Sequence, residues 1–271
     1  MSIPLPKEHG SWAMFAIPLG IGAVVAGVWR LELGLLLLAA LGFFLMRYPL
    51  ATLVKTRKRP SPARKELWRW AVVYAAVAAI PGLALVLVYR LWWLAPMGFF
   101  GAALVAYNLW LISRRQDMTL RGELPGIVGL AMGAPMAYYA ARGVLNETAL
   151  ALWLINALYF GGTIFYVKLK VRQQPKLLPP SLPDRFRVAK ASLTYHTAAL
   201  TAVVALTVVG IVPPLVPVAF LPMLVKAWVG AWQWQDRKSL NLVRLGISEA
   251  VFSVTFAAIV IAAFLVSPPL A

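Results

Sequence analysis

Apolar residues in this chain run in long blocks separated by short polar breaks, without the period-2 alternation of strands or the half-polar helices of a water-soluble fold. A helix needs about 20 mostly apolar residues to cross the hydrocarbon core of a bilayer. Nine blocks approach or reach that length: 12–29, 33–52, 70–89, 91–112, 124–141, 148–167, 194–212, 215–232 and 247–266. The fifth is the weakest, being short, rich in glycine and carrying Pro125 and Pro135. Pro18, Pro81, Pro96 and Pro222 fall inside other blocks, as membrane helices tolerate when neighbours satisfy the freed carbonyls. The pattern predicts an all-α, polytopic membrane bundle of about nine transmembrane helices, forming one integral membrane domain over 1–271. The longest break, 168–192, contains a proline-rich stretch at 173–183 that reads as a loop.

Composition agrees. The chain is 61% hydrophobic and 13% charged, with a mean hydropathy of +0.77, whereas soluble domains are about a quarter charged. The absence of cysteine removes disulfides, zinc–cysteine sites, iron–sulfur clusters and thiol nucleophiles. Two histidines leave no multi-histidine metal site, so no cofactor is expected.

Charge gives the expected orientation. With the N-terminus inside, 23 of the 26 lysines and arginines fall on the cytoplasmic side, and only Arg30, Arg90 and Arg142 fall outside. That bias predicts an N-in, C-out protein of the cytoplasmic (inner) membrane. The net charge of +17 then reflects insertion and contact with anionic lipid headgroups, not nucleic-acid binding. The run 55–59 is read as headgroup contact in the same way.

Polar residues inside or at the ends of the blocks collect on that side. Glu8 and His9 precede the first block, Arg47 lies in the second, and Asn108 lies in the fourth. Arg115 and Glu123 follow, then Lys168 and Arg172 after the sixth, Ser192 and His196 at the seventh, Lys226 in the eighth and Glu249 in the ninth. Ionisable groups at membrane depth cost about 2.5–3.5 kcal/mol on insertion scales and usually face a wet cavity or a partner. A cytoplasm-facing polar pocket is the expectation, with Arg47, Asn108, Arg115, Glu123, Lys168, Arg172, Lys226 and Glu249 as substrate-binding candidates and Glu8, His9 and His196 as proton-moving ones. Each has a plainer alternative. Lys226 would snorkel to the headgroups, and His196 would be a packing residue on one face with Ser192. Lys168 and Arg172, four residues apart, would touch lipid phosphates. Glu249 would be a first-turn acid favoured by the helix dipole, and Asn108 an interhelical hydrogen-bonding group.

The segment Pro-Lys-Glu-His-Gly-Ser-Trp-Ala at 6–13 sets a cation, an acid, an imidazole and a flexible glycine directly before a membrane helix. It resembles the signature opening of the YwiC-like family of bacterial membrane proteins. Arg114-Arg115, Tyr166-Val167-Lys168 with Arg172, and Tyr195-His196 add to that resemblance, which covers essentially the whole chain and implies kinship without naming an activity. A looser likeness is to the UbiA-type membrane prenyltransferases, which imply nine helices, N-in and C-out, around a cytoplasm-facing cavity for a prenyl diphosphate. In those enzymes aspartate-rich motifs after helices 2 and 6 bind magnesium. Here the corresponding places are basic, and the three aspartates, Asp117, Asp184 and Asp236, form no such motif, so the oxygen ligands that magnesium needs are missing.

Three functions compete. One is a UbiA-like transferase or binder of an anionic lipid or prenyl-type substrate, with Arg47, Lys168 and Arg172 holding the headgroup in place of metal. The second is a transporter or carrier of an anionic solute, although blocks three and nine offer few polar groups to their outer halves. The third is an assembly protein presenting basic loops to a protein partner that the sequence does not identify.

Overall fold

The computed structural model describes residues 3–6, 9–57, 63–176, 181–236 and 240–267. Among these there is no strand; the described residues are all helix and connecting segments. Ten α-helices run in order: α1 (His9–Ala26), α2 (Leu31–Lys55), α3 (Ala63–Leu87), α4 (Leu94–Ser113), α5 (Leu120–Ala131), α6 (Gly133–Arg142), α7 (Glu147–Lys168), α8 (Leu182–Val208), α9 (Leu221–Trp232) and α10 (Leu242–Val266). Among the described residues, seven helical segments are long and apolar enough to cross a membrane, with α5 and α6 acting as one, and there are two shorter apolar ones, 10–26 and 216–232. These are the nine blocks of the sequence, and the chain is a multi-pass membrane protein.

The physical reason is uniform. In lipid every backbone N–H and C=O must be paired within the segment, so an apolar block has no alternative to a helix. At 1.5 Å per residue, the 25 residues of α2 span about 37 Å, enough for a core of about 30 Å. Side chains such as Phe99 (78% exposed) and Val208 (80%) are not packed within the protein, as lipid-facing residues should not be. The most apolar windows of α2 and α3 are each only 22% buried, against 56% for the α5–α6 span and 61% for the one beginning with α7.

Several helix ends differ from the pattern, and three of the differences matter most. The fifth block breaks at Met132 because Pro135 has no N–H to give the carbonyl four residues earlier, at Ala131, where α5 ends. The expected loop at 173–183 is partly helical: α7 passes through a π turn (Leu169–Gln173) into a 3-10 turn (Gln174–Lys176), and α8 starts at Leu182 with Pro183 in its first turn. The last helix begins at Leu242, where the Asn241 side chain accepts from the Arg244 N–H at 2.9 Å. Glu249 is therefore two turns inside α10 and is not the first-turn acid of the plainer reading.

The chain divides into two compact units, residues 1–153 and 154–271. In the first, α2 packs along α3, α1 packs along α6, and α4 packs on α5. Its core joins Phe15 and Leu19 of α1 to Phe44 of α2, Leu85 of α3 and Tyr139 of α6. The Phe15 and Phe44 rings stack at 4.8 Å. Helix pairs in lipid gain little from apolar burial and rely on close approach. Gly22 provides it, since a Cβ there would collide with the Ala134 backbone. In the second unit α8 packs on α9, and a 3-10 turn (Val216–Phe220) leads into α9 and touches α10.

Candidate functional site

One stripe of α7 and its continuation, at residues 159, 162, 166 and 170, meets each of the other helices of the second unit. Spacings of three and four residues keep these positions on one face. Tyr159 stacks on Phe256 of α10 at 3.7 Å between ring centres. Gly162 faces His196 of α8, whose Nε2 would lie 2.8 Å from a Cβ at that position. The Tyr166 ring lies 4.8 Å from the Lys226 ammonium of α9. Lys170 reaches past it to the C-terminal end of the same helix.

Lys226 and Glu249 form the electrostatic centre. The Lys226 Nζ donates to Glu249 Oε1 at 2.7 Å and to Ser248 Oγ at 3.2 Å, and the Phe252 ring lies 4.3 Å from it. Both members are buried, at 8% and 9% exposure, so the lysine does not snorkel out of the bundle. The second carboxylate oxygen, Oε2, is buried without a hydrogen bond. Lys226 also forms part of the wall of an open apolar groove of about 510 Å³, whose other walls include Leu221, Val225, Val229, Phe252 and Ile259. Lys226, held in an ion pair, thus also lines a groove whose surface is almost wholly apolar.

His196 is buried, and its Nδ1 is 2.7 Å from the Ser192 carbonyl oxygen. A carbonyl only accepts, so Nδ1 carries the hydrogen and, in the neutral ring, Nε2 presents its lone pair. That Nε2 has no hydrogen bond, nor has the buried Ser192 Oγ. The spacing of Ser192 and His196 is thus used through the backbone of Ser192 and not its hydroxyl.

Lys170 and Gln174 are site-forming residues that sequence reasoning missed. Lys170 Nζ donates to the Gly230 carbonyl at 2.8 Å and the Gln233 carbonyl at 2.6 Å. Gln174 Nε2 also donates to Gly230 O, at 2.9 Å, and its Oε1 accepts from the Gln235 N–H at 3.0 Å. Carbonyls at a helix C-terminus lack intrahelical donors and carry partial negative charge, so these two side chains cap α9. The π turn re-aims both toward α9. The one available signal was that 170 continues the 159, 162, 166 stripe. Lys168 and Arg172, beside it, are half-buried.

The remaining candidates fall in the first unit. Arg47 donates through Nε and Nη2 to Asn108 Oδ1 at 3.2 and 3.1 Å, and Asn108 Nδ2 donates to the Gly122 carbonyl at 2.9 Å. Arg47, Asn108 and the turn before Glu123 thus form one chain of bonds across α2, α4 and α5. Arg115 is exposed and has a positive φ of 59° in the α4–α5 turn. Glu8 and the side chain of His9 lie outside the described residues. Among the described residues no group of three or more His, Asp or Glu could hold a metal ion.

Comparison with known proteins follows the same lines. Residues 5–138 match the profile of the family described as YwiC-like protein. A protein of Haemophilus influenzae, named an uncharacterized protein, is 27% identical over 94% of this chain and 96% of its own length. The Bacillus subtilis protein named uncharacterized protein YwiC is 26% identical over 74% of this chain and 86% of its own length. No solved structure matches. The profile match begins at Leu5 and takes in the 6–13 motif, and the two relatives align over most of their own lengths: the chain is similar to the YwiC-like family, by profile over residues 5–138.

Proposed function

We propose that this protein is an N-in, C-out protein of the cytoplasmic membrane that binds an anionic amphiphile, a lipid or prenyl-type phosphate, in its second unit. One observation carries the reading: Lys226 is both half of a buried ion pair and a wall of the apolar groove along α9 and α10. A purely structural role is a weak account of the pair, because an apolar pair of similar volume is often as stable or more so. An amphiphile would lay its chain in the groove and bring its phosphate to the Lys226 ammonium in competition with Glu249. The unpartnered Nε2 of His196 would accept the proton of a hydroxyl or amine that attacks the prenyl C1 while the C1–O bond breaks and diphosphate leaves, a UbiA-like transfer. Lys168 and Arg172 supply further positive charge on the same helix as Tyr166. The reading requires no magnesium at the headgroup.

The test is a thermal-shift series on the full chain in lipid nanodiscs with farnesyl diphosphate, geranylgeranyl diphosphate, phospholipid headgroups and short carboxylates, each with and without magnesium. A ligand at a hundred times its dissociation constant stabilises by about 2.7 kcal/mol. The expected result is a metal-independent shift with a prenyl phosphate that Lys226→Met removes and Lys65→Gln leaves intact. A shift that survives Lys226→Met overturns the assignment. A shift with short carboxylates alone moves the reading to a carrier of an anionic solute.

A further inference from the structure

A second groove lies in the first unit, where the C-terminal ends of α2 and α4 meet the start of α3. It encloses about 360 Å³. Leu50, Leu53 and Leu109 form its apolar part, Trp68 and Trp110 line it, and Arg57 and Arg64 stand at its edge. The Arg57 Nη2 donates to the Ser113 carbonyl at 3.4 Å, which ties that side chain to the end of α4. Arg114 lies over the Trp110 ring at 4.5 Å. Trp68, Trp110, Arg57 and Arg64 are all exposed.

We infer that this groove is a binding site for an anionic glycerophospholipid, seated with its phosphate between Arg57 and Arg64 and one acyl chain over Leu53 and Leu109. The chemistry is graded as such a lipid is graded. Guanidinium groups match phosphate oxygens in a planar, two-pronged geometry that an ammonium lacks. Tryptophan sits at the headgroup level, where one edge is wet and the ring is apolar. The leucines meet the chain. A soluble phosphate would use the rim and leave the apolar part bare, and a zwitterionic lipid would bring its own ammonium against the guanidinium groups along with its phosphate. The occupant therefore carries both parts. The site uses none of the residues of the Lys226 groove and stands independently of the function proposed above.

The test measures binding of phosphatidylglycerol and phosphatidylcholine to the detergent-purified full chain by native mass spectrometry. Arg57→Gln/Arg64→Gln is compared with the charge-matched Lys65→Gln/Arg69→Gln, which changes the same end of α3 outside the groove. The expected result is at least a tenfold loss of phosphatidylglycerol affinity in the first variant and less than a threefold loss in the second. Equal losses mean that only net charge is read, and they overturn the site. Glycerol phosphate at equal concentration should displace almost none of the lipid; full displacement overturns the lipid assignment in favour of a free phosphate. A second measurement leaves both arginines in place. Phosphatidylglycerol brominated on its acyl chain should quench the wild-type tryptophan fluorescence more than brominated phosphatidylcholine does, and Trp68→Phe/Trp110→Phe should abolish the difference. Equal quenching by the two lipids in the wild type refutes the proposal.

Discussion

Removing either member of the Lys226–Glu249 pair should destabilise the protein far more than removing both. At 2.7 Å and an effective dielectric of about 20, the direct attraction is about 6 kcal/mol. Most of it is offset by the cost of taking two charges out of water, so the pair as a whole contributes little net stability. Removing one partner keeps the desolvation cost and loses the attraction, which is worth about 3–5 kcal/mol. Lys226→Met belongs at the upper end, because Glu249 is left buried with one oxygen already without a hydrogen bond. Glu249→Gln belongs at the lower end, because Lys226 keeps the Ser248 hydroxyl and the faces of Tyr166 and Phe252. The double variant Lys226→Met/Glu249→Gln should return to within about 1–2 kcal/mol of the wild type. Reversible unfolding in mixed micelles, followed by circular dichroism, gives all four corners of the cycle. A coupling energy of at least about 4 kcal/mol is expected, and additivity within about 0.5 kcal/mol would refute the pairing.

The cap on α9 gives a separate expectation: Lys170→Met leaves the Gln233 carbonyl without its lysine donor and should cost about 1–3 kcal/mol. Hydrogen exchange would accelerate in the last turn of α9 while α2 and α3 stay protected, and unchanged protection there would count against the cap. Gly22→Val drives side-chain atoms into the Ala134 backbone and should cost about 1–3 kcal/mol in the same unfolding assay. Gly34→Val, where a Cβ meets nothing within 4 Å, should show a much smaller loss. The chain has no native cysteine, so single cysteines at Glu123 and Arg142 can be probed directly with an impermeant thiol reagent in oriented vesicles. They should label from opposite faces, Glu123 from the cytoplasmic one, and labelling of both from one face would contradict the topology drawn from charge.

The nine apolar blocks were legible in the sequence because a backbone in lipid must satisfy its own hydrogen bonds, which makes hydropathy over about 20 residues nearly sufficient to place a helix. The break at Met132 follows from Pro135 by local chemistry of the same kind. Candidate status for Lys226, Glu249 and His196 was also readable, since charge inside an apolar block is conspicuous whatever surrounds it. What each of them touches was not. Lys226 and Glu249 are 23 residues apart on different helices, and nothing in either local sequence chooses between snorkelling, pairing or binding. Arg47 and Asn108 are 61 apart and meet through an amide oxygen. Lys170 and Gln174 lie in a basic stretch that reads as an interfacial loop, and only the π turn turns them onto the end of α9. The sequence by itself determined which stretches form apolar helices and, through charge, the side proposed for each end. The tertiary structure decided the partners, because hydrophobicity adds up along one segment, whereas a contact depends on the rotation and depth of two.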